Sequence, residues 1–377
     1  MKDILFIQST LEIGGAETVL LNLLEASREL RERSLVVTLG YGSGDLVARL
    51  RALDADVVEF HAGRLRQPLN VALTVGKIIR LAHWRGVRWV IANGQHPQVF
   101  AAAVAKGAGA RNAFLVNLIP SPRLLKNEPI DVVAYAAPSD LWLANSSACL
   151  HTLKLLRPTM RSALLYPGTP IRPVFEDQRR TTRQDLGVGD GEILYGIFGR
   201  LQRWKGQDIF VEAAARVRDQ LPGARFLVVG GSVFGLEPEF DAALKSRTQA
   251  LGLQDALQFT GFRSDVHVLM AACDVVCHTT RVPEPFGMVV IEAMAQARPV
   301  IATRGGGPSE IMVEGQHGLL TGAEDVNALV GSMVTLGENA ELRTSLGAAA
   351  LERVRQNFSS EAMARTLLDE LSRAERG

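Results

Sequence analysis

The stretch CDVVCHTTRVPEPFGMVVIEAMAQARPVIAT, residues 273–303, carries the pattern that decides the fold. It begins and ends with short apolar runs rich in valine, and a segment with apolar residues at helical spacing lies between them. A strand, a helix and a second strand in this order form a βαβ unit, whose two strands are parallel. The same stretch holds two glutamates: Glu284 lies in a proline-bracketed loop, and Glu292 lies inside the helix that follows.

The alternation of strand-like and helical segments extends along the whole chain. Near-continuous runs of Val, Ile and Leu are typical of parallel strands that are covered on both faces. Such runs occur at 3–9, 33–39, 56–60, 88–93, 113–118, 141–146 and 163–168, and again at 192–200, 224–231, 257–262, 273–279 and 298–303. Apolar residues at helical spacing occur at 16–30, 71–86, 207–221 and 358–377. The pattern predicts an α/β protein.

Two domains are expected, because 377 residues exceed the usual size of one. The charged segment 172–192 lacks apolar periodicity and marks the boundary. We therefore predict an N-terminal domain over 1–178 and a C-terminal domain over 179–358. Each is expected to be a Rossmann-like, doubly wound parallel sheet, and the terminal helix 359–377 is expected to pack back on the first domain.

The composition argues against several classes of protein. It is 47% hydrophobic and 21% charged, which is ordinary for a globular protein, and no apolar run reaches the roughly 18–20 residues that span a bilayer. The first residues, MKDILFIQST, are interpreted as a buried strand and not as a signal peptide. The three cysteines do not suggest a disulfide framework, so a cytoplasmic protein is expected.

Two glycine-containing loops follow predicted strands. In open α/β sheets, ligands bind beyond the carboxyl ends of the strands. Gly14 and Gly15 follow the first strand and precede a helix, where a backbone can approach an anion. In GRLQRWKGQD (199–208), Arg200 and Lys205 flank a short loop before another helix. Two cations and a helix N-terminus favour a phosphate site there, although solvated cations in a loop are the alternative.

The third loop holds Glu284. The backbone N–H groups of Phe286, Gly287 and Met288 lie at the start of the next helix and lack partners within it. A polyhydroxylated ligand could use Glu284 at one end and Glu292 at the other, with a phosphate between them. Glu292 lies among apolar residues, which is unusual for a carboxylate without a partner.

The motifs together resemble a known family. GRLQRWKGQDIFVEA, FTGFRSD, EPFGMVVIEAMAQARPVIAT and GGGPSEIM occur in this order and spacing, and IGGAE and LANSSA precede them. They resemble the retaining GT-B glycosyltransferases of the GT4 type, most strongly over 196–320. The resemblance implies two Rossmann-like domains that face a cleft. The N-terminal domain, 1–178, would bind the acceptor, and the C-terminal domain, 179–358, would bind a UDP- or GDP-sugar donor. The resemblance implies as well that neither a metal nor a cofactor is needed.

The resemblance also implies roles for individual residues. Arg200 and Lys205 would hold the diphosphate and support catalysis with Glu284, and Glu292 would bind the ribose. The remaining contacts would come from the backbone: Phe286, Gly287 and Met288 at the sugar, Gly261 to Arg263 at the base, and Gly14 and Gly15 at the phosphate. Attack is expected on the face that the nucleotide leaves, and the leaving phosphate would take the acceptor proton.

The chain departs from the family pattern on the acceptor side. Family members often carry a histidine after the strand that here reads FLVNLIPSP, and Asn117 occupies about that position. An amide can form hydrogen bonds but cannot donate a proton at neutral pH. His96, in the predicted loop NGQHPQ, is the candidate replacement. YPGTP (166–170) replaces the usual Pro-Asn-Gly.

The acceptor is predicted to be a glycan or a lipid-linked molecule. Residues 60–127 contain ten basic residues and no acidic residue, and a field of one sign attracts anions. The predicted helix 71–86 places Leu73, Lys77, Arg80 and Trp84 on one face, which suits an anionic membrane surface. We therefore expect cell-surface polysaccharide or glycolipid synthesis by a cytoplasmic protein on the inner face of the membrane. An ordinary solvated basic face is the alternative.

The sequence leaves some alternative functions open and disfavours others. A sugar-nucleotide epimerase could use the same fold, and so could a non-catalytic sugar- or lipid-binding protein. A nicotinamide dehydrogenase is disfavoured because GxGxxG is absent and the second strand ends in Leu39-Gly40-Tyr41 without an acid. Nucleic-acid binding is not expected, because the net charge is +1 and the basic stretch lacks interleaved aromatic residues.

Overall fold

The structure is a computed structural model that describes residues 2–42, 44–62, 67–117, 129–231 and 237–376. The chain forms two compact units. The first contains the residues up to Pro170 together with those from Ser359 onward, and the second contains Ile171–Phe358.

The first unit is built on a seven-stranded parallel sheet in the order β3-β2-β1-β4-β5-β6-β7. Its strands are β1 (Ile4–Thr10), β2 (Ser34–Tyr41), β3 (Asp56–Glu59), β4 (Trp89–Asn93), β5 (Arg111–Val116), β6 (Leu141–Ala144) and β7 (Ser162–Leu164). Its helices are α1 (Gly15–Ala26), α2 (Arg28–Arg33), α3 (Leu46–Ala52), α4 (Pro68–Arg85), α5 (Gln95–Ala108), α6 (Pro129–Ala136) and α7 (Ser147–Leu156).

The last helix of the chain (Ser360–Arg376) packs against α1 within this unit. Its Glu375 accepts a hydrogen bond from the indole N–H of Trp89 at 2.9 Å, and the guanidinium of Arg111 donates to the carbonyl of Ala374. Both partners lie at the amino ends of strands β4 and β5, so the helix covers that edge of the sheet.

The second unit is built on a six-stranded parallel sheet in the order β10-β9-β8-β11-β12-β13. Its strands are β8 (Ile193–Phe198), β9 (Ala224–Val229), β10 (Leu257–Gly261), β11 (Val275–His278), β12 (Val300–Thr303) and β13 (Gly318–Thr321). Its helices are α8 (Glu176–Asp185), α9 (Gln207–Gln220), α10 (Pro238–Ala250), α11 (Val266–Ala272), α12 (Met288–Ala295), α13 (Pro308–Ile311), α14 (Val326–Glu338) and α15 (Ala340–Asn357). The last helix of the chain is α16.

The prediction of two parallel α/β sheets is confirmed, with local corrections. Each of the twelve predicted strand runs overlaps an observed strand, and the structure adds β13. The predicted continuous helix over 16–30 is wrong: α1 ends at Ala26, and the hydroxyl of Ser27 accepts the N–H of Leu30 at 3.1 Å to begin α2. No helix among the described residues is long and apolar enough to cross a membrane.

Segment 172–192, which lacks apolar periodicity and was predicted to hold the domain boundary, contains α8. No residue of α8 is buried, so it carries no apolar stripe. Arg179 and Arg183 hold the helix instead, because both bind the carboxylate of Asp274, at 2.7 and 2.9 Å. Helix α8 is thus docked by ion pairs, which apolar periodicity does not detect.

Candidate active site

Two loops of the second unit lie side by side at the carboxyl edge of its sheet. Strands β8 and β11 are parallel neighbours, so the chain leaves both strands at the same edge. The hydroxyl of Thr279 donates to the carbonyl of Gly206 at 2.7 Å, and the N–H of Arg281 donates to the carbonyl of Trp204 at 2.8 Å. The loop with the predicted phosphate cations therefore contacts the loop with the predicted sugar carboxylate.

The side chains of Lys205 and Glu284 form an ion pair. The Nζ of Lys205 lies 2.8 Å from the Oε2 of Glu284, and the side chains are only 18% and 12% exposed. The same Nζ lies 4.0 Å from the ring centroid of Trp204, a favourable cation–π distance. Two residues that were predicted to bind different parts of the donor therefore contact each other in this structure.

Glu284 is ionised at neutral pH. Burial alone would raise the pKa of its carboxyl, but His278 and the ion pair with Lys205 lower the pKa to about 2. The Nε2 of His278 lies 3.5 Å from the same Oε2 of Glu284. A carboxylate that stays charged accepts hydrogen bonds and does not supply a proton.

A run of three glycines fixes the backbone of the Glu284 loop. The N–H of Gly307 donates to the carbonyl of Glu284 at 2.9 Å, and Gly306 pairs with Glu284 in an isolated parallel bridge. Helix α12 then begins at Met288, after Gly287 with φ +104°. The N–H groups of Gly287 and Met288 donate to no residue that the structure describes. Free amides at a helix start can bind an anion.

Glu292 lies in the middle of α12 and is only partly exposed. Its neighbours Ile291 and Ala293 are fully buried, and its carboxylate has no hydrogen-bond or ion-pair partner among the described residues. Burial raises the pKa of Glu292 to about 7. A carboxylate in this state lacks hydrogen-bond donors, which the hydroxyls of a bound sugar could provide.

The other predicted donor contacts lie on neighbouring strand ends. The side-chain N–H of Gln207 donates to the carbonyl of Arg200 at 2.8 Å, which ties that loop to the start of α9. The N–H of Gly230 donates to the carbonyl of Gly261, which has φ +68° at the end of β10. Arg263 is exposed and forms a two-bond fork with Asp265, at 2.8 and 2.6 Å. Its guanidinium is thus engaged, which leaves the loop backbone to contact a ligand.

In the first unit, Gly14 and Gly15 differ in whether the backbone N–H is available to a ligand. The N–H of Gly14 donates to Glu17 Oε2 at 2.9 Å, whereas Gly15 is exposed and begins α1. The carboxylate of Glu17 also accepts from the amide of Gln8 at the end of β1. Among these two glycines, Gly15 therefore has the N–H that is available to a ligand.

Asn117 belongs to a chain of amide hydrogen bonds across the same sheet edge. Its Nδ2 donates to the Oδ1 of Asn93 at 3.1 Å, and Asn93 donates to the Oε1 of Gln8 at 2.8 Å. Asn145 donates to the carbonyl of Asn117 at 3.1 Å. These residues lie at or near the carboxyl ends of β1, β4, β5 and β6, which are adjacent in the sheet, so the hydrogen bonds link four neighbouring strands.

The interpretation of His96 as a loop residue is wrong. It lies in the first turn of α5, between Tyr41 and Phe100, with ring centroids 4.8 and 5.6 Å away. Its Nδ1 is buried and has no hydrogen-bond partner among the residues that the structure describes, and burial lowers the pKa of the imidazole. The ring is therefore neutral at neutral pH; its role towards an acceptor stays a prediction.

The family is decided by the match to the second unit. Residues 178–353 match the family model of glycosyl transferases group 1. This half of the chain belongs to the group 1 glycosyltransferases. It is 30% identical over 274 residues to D-inositol 3-phosphate glycosyltransferase from Kribbella flavida, covering 69% of this chain and 62% of that protein. It is 30% identical over 200 residues to the lipopolysaccharide core biosynthesis mannosyltransferase LpsB from Rhizobium meliloti, covering 52% and 55%. The chain thus spans little more than half the length of these curated relatives.

Solved structures match over nearly the whole chain. HepE from Anabaena in complex with UDP and glucose is 28% identical with a TM-score of 0.87, covering 99% of this chain and 100% of that chain. The same protein in complex with UDP-glucose is 29% identical with a TM-score of 0.86, covering 98% and 99%. The GT-B fold expected from the sequence is confirmed.

Sequence reasoning missed two contributors to the candidate site. His278 is the last residue of β11 and faces Glu284, but a buried strand residue carried no functional signal. Trp204 lies beneath the ammonium of Lys205, and only its place between two cations in QRWKG marks it. The roles of all predicted site residues, and independence from metals, stay predictions.

The basic surface is only partly described. Arg64, Arg66, Arg123 and Lys126 lie outside the described residues. The predicted face of α4 is confirmed as exposed: Leu73 and Trp84 are 65% and 76% exposed, and Lys77 and Arg80 are exposed as well. Its opposite face buries Ile78 and Ala82.

Proposed function

We propose that this chain is a retaining glycosyltransferase that moves a hexose from a UDP-sugar to a hydroxyl of a glycan or lipid-linked acceptor. The observation that carries the proposal is the group formed by Lys205, Glu284 and the unpaired amides that begin α12. Its relative HepE has been solved with UDP and with UDP-glucose, which supports UDP over GDP as the donor nucleotide.

The donor occupies the C-terminal domain, proposed as residues 179–358. Arg200 and Lys205 neutralise the diphosphate, and the carboxylate of Glu292 accepts the ribose hydroxyls. As the bond to the sugar breaks, negative charge grows on the departing phosphate. Fixed cations and helix-start amides stabilise such charge without reorganisation, and one such donor is typically worth about 2.7–4 kcal/mol of the barrier.

Glu284 binds the donor sugar as a permanent anion. With a pKa of about 2, its carboxyl carries no proton to donate at neutral pH. The proposal therefore assigns neither acid catalysis nor a covalent sugar intermediate to Glu284. The acceptor oxygen attacks the anomeric carbon on the face that the diphosphate leaves, and the leaving phosphate takes the acceptor proton. No metal is required in this scheme.

The acceptor is proposed to bind the N-terminal domain, residues 1–178, and to be held at a membrane surface. The exposed Leu73 and Trp84 on α4, with Lys77 and Arg80 beside them, support this assignment. Lys and Arg near an anionic surface contribute about 1 kcal/mol each. A cytoplasmic enzyme on the inner face of the membrane would build a cell-surface polysaccharide or glycolipid.

A nucleotide screen tests the donor. Thermal unfolding is followed with UDP, GDP and ADP at equal concentrations, because a ligand at 100 times its Kd stabilises by about 2.7 kcal/mol. The proposal expects UDP to raise Tm the most. A larger shift with GDP or ADP would refute the uridine assignment.

A turnover assay tests the reaction. Incubation of a UDP-hexose with an acceptor lipid or glycan should release UDP and give a product with the anomeric configuration of the donor, read by NMR. A changed sugar nucleotide without acceptor would identify an epimerase instead. UDP binding without any turnover would favour a non-catalytic binding protein.

A further inference from the structure

A buried histidine, His278, faces the ion pair of the donor site. It ends strand β11, and its side chain is 4% exposed. Neither ring nitrogen has a hydrogen-bond partner in the described part of the chain, and the Nε2 lies 3.5 Å from Glu284 Oε2. This distance exceeds the usual 2.7–3.2 Å for a hydrogen bond. An imidazole that is buried with two unused nitrogens is costly unless it gains a partner in another state of the site.

The donor creates such a state. In this structure Lys205 binds Glu284 at 2.8 Å, and the proposed function gives Lys205 a second partner in the donor diphosphate. A diphosphate carries more negative charge than a carboxylate and draws the ammonium towards itself. Glu284, whose side chain is 12% exposed, would then lose its cation, and a buried carboxylate without a partner is strongly disfavoured.

We propose that His278 is a positioning residue that takes over the carboxylate of Glu284 when the donor diphosphate draws Lys205 away. The N–H at Nε2 donates to Glu284 Oε2 after a shift of a few tenths of an ångström. Glu284 therefore stays charged and stays in place for the donor sugar. This inference rests on the proposed function, because it requires a diphosphate next to Lys205.

If His278 replaces Lys205 as the partner of Glu284, the contribution of His278 to nucleotide binding depends on Lys205. In the wild type, His278 contributes more to holding Glu284 in the bound state than in the free state, where Lys205 shares that role. When Lys205 is absent, His278 is the remaining described partner of Glu284 in both states. Its removal then changes the free and the bound protein alike and leaves the affinity unchanged.

A double-mutant cycle measures this dependence. The Kd of UDP is determined by calorimetry for His278→Leu and His278→Gln, each with Lys205 and with Lys205→Ala. Gln keeps an N–H donor near the position of Nε2, whereas Leu fills a similar volume without a donor. With Lys205 present, we expect His278→Leu to weaken UDP binding roughly tenfold and His278→Gln less than about threefold. With Lys205→Ala, we expect His278→Leu to cost less than about twofold.

The outcomes separate this inference from the function on which it rests. A wild type that binds no UDP would overturn both. A wild type that binds UDP, with equal losses from His278→Leu in the two Lys205 backgrounds, would overturn the role of His278 alone. Equal losses for Leu and Gln would do the same, because a purely structural imidazole does not distinguish them.

A spectroscopic measurement tests the proposal on the wild type, so it does not require His278→Leu to fold. Nitrogen-15 spectra of the wild-type histidines are recorded with and without UDP, and the His278→Gln variant assigns the signal. Saturation with UDP should give an Nε2–H resonance that is protected from exchange with water. An Nε2 without a proton in the UDP complex would overturn the proposal.

Discussion

A β-carbon on Gly306 would lie 2.1 Å from the carbonyl oxygen of Glu284. Gly306 also has φ +59°, a conformation that side chains rarely adopt. Glycine is therefore required at position 306 for two reasons: the lack of space and the backbone angle. Any side chain at this position would clash with the loop that carries Glu284.

Gly306→Ala is expected to displace Glu284 and to lower kcat at least tenfold. Gly315→Ala is the matched control, because Gly315 has φ +72° and open space around its β-carbon position. The control should lose about 1–2 kcal/mol of unfolding free energy, from the backbone angle alone, and keep its turnover. Denaturant unfolding and turnover are measured for both variants. Equal turnover in the two variants would show that the close approach does not position Glu284.

The cations of the loop 199–206 should differ sharply in their effect on turnover. Arg200→Ala and Lys205→Ala are expected to lower kcat at least tenfold, since each removes charge stabilisation worth about 2.7–4 kcal/mol. Arg203→Ala is the control: its side chain is 62% exposed, and it lies 3.8 Å from Glu237. Circular dichroism checks that each variant is folded. Near-wild-type turnover in both Arg200→Ala and Lys205→Ala would refute their assigned roles.

Glu292 should make stability depend on pH. Its pKa of about 7 lies above the ordinary value of 4.5, so the folded protein binds the extra proton between these pH values. The free energy of unfolding therefore falls as pH rises through this window, by up to about 3 kcal/mol. Glu292→Gln should remove this part of the slope. Parallel slopes in the two proteins would contradict a raised pKa.

Donor binding should show the opposite trend. A charged Glu292 accepts hydroxyl hydrogen bonds better than a protonated one, so the affinity for UDP-glucose should rise between about pH 6 and 8. UDP-glucose is preferred to UDP because its phosphates do not titrate in this range. Calorimetry at three pH values measures the trend. Glu292→Gln should bind more weakly at pH 8 and show little change with pH.

The sequence predicts which loops form the site because parallel strands bring their carboxyl ends to one edge. Arg200 and Glu284 are 84 positions apart, but they follow β8 and β11, which are neighbours in the sheet. Motif spacing and strand order therefore locate both loops. They do not locate the ion pair of Lys205 with Glu284, because side-chain partners depend on distances that no periodicity encodes.

The elements that escaped prediction lack an apolar signature. Strand β13 has only four residues, and Leu319 and Leu320 are its only large apolar side chains. The break at Ser27 depends on one hydroxyl that accepts a backbone N–H. Helix α8 buries no residue and is held by arginines. The break at Ser27 and helix α8 are set by polar contacts, and β13 is too short to show a pattern, whereas the strand and helix patterns report apolar burial.

The ion pairs of α8 allow a buried carboxylate to be compared with an exposed one in its contribution to stability. Asp274 binds Arg179 at 2.7 Å with a side chain that is 13% exposed, and Asp177 binds Arg180 at 2.7 Å with a side chain that is 88% exposed. Asp274→Asn should cost at least about 3 kcal/mol, because it removes the mostly buried carboxylate that pairs with both Arg179 and Arg183. Asp177→Asn should cost less than about 1 kcal/mol. Denaturant unfolding measures both, and similar costs would rule out the docking role of Asp274.

The exposed face of α4 should bind anionic vesicles. Flotation with phosphatidylserine vesicles is compared for Arg80→Glu and Lys154→Glu, since both side chains are exposed in the first unit and the changes in charge are equal. Arg80→Glu should weaken binding at least roughly fivefold, because each basic residue near the surface contributes about 1 kcal/mol. Trp84→Ala should also weaken binding but keep its dependence on salt, since an indole contributes no charge. If Lys154→Glu weakened binding as much as Arg80→Glu, the attraction would come from net charge, and α4 would lose its assignment as the membrane-facing helix.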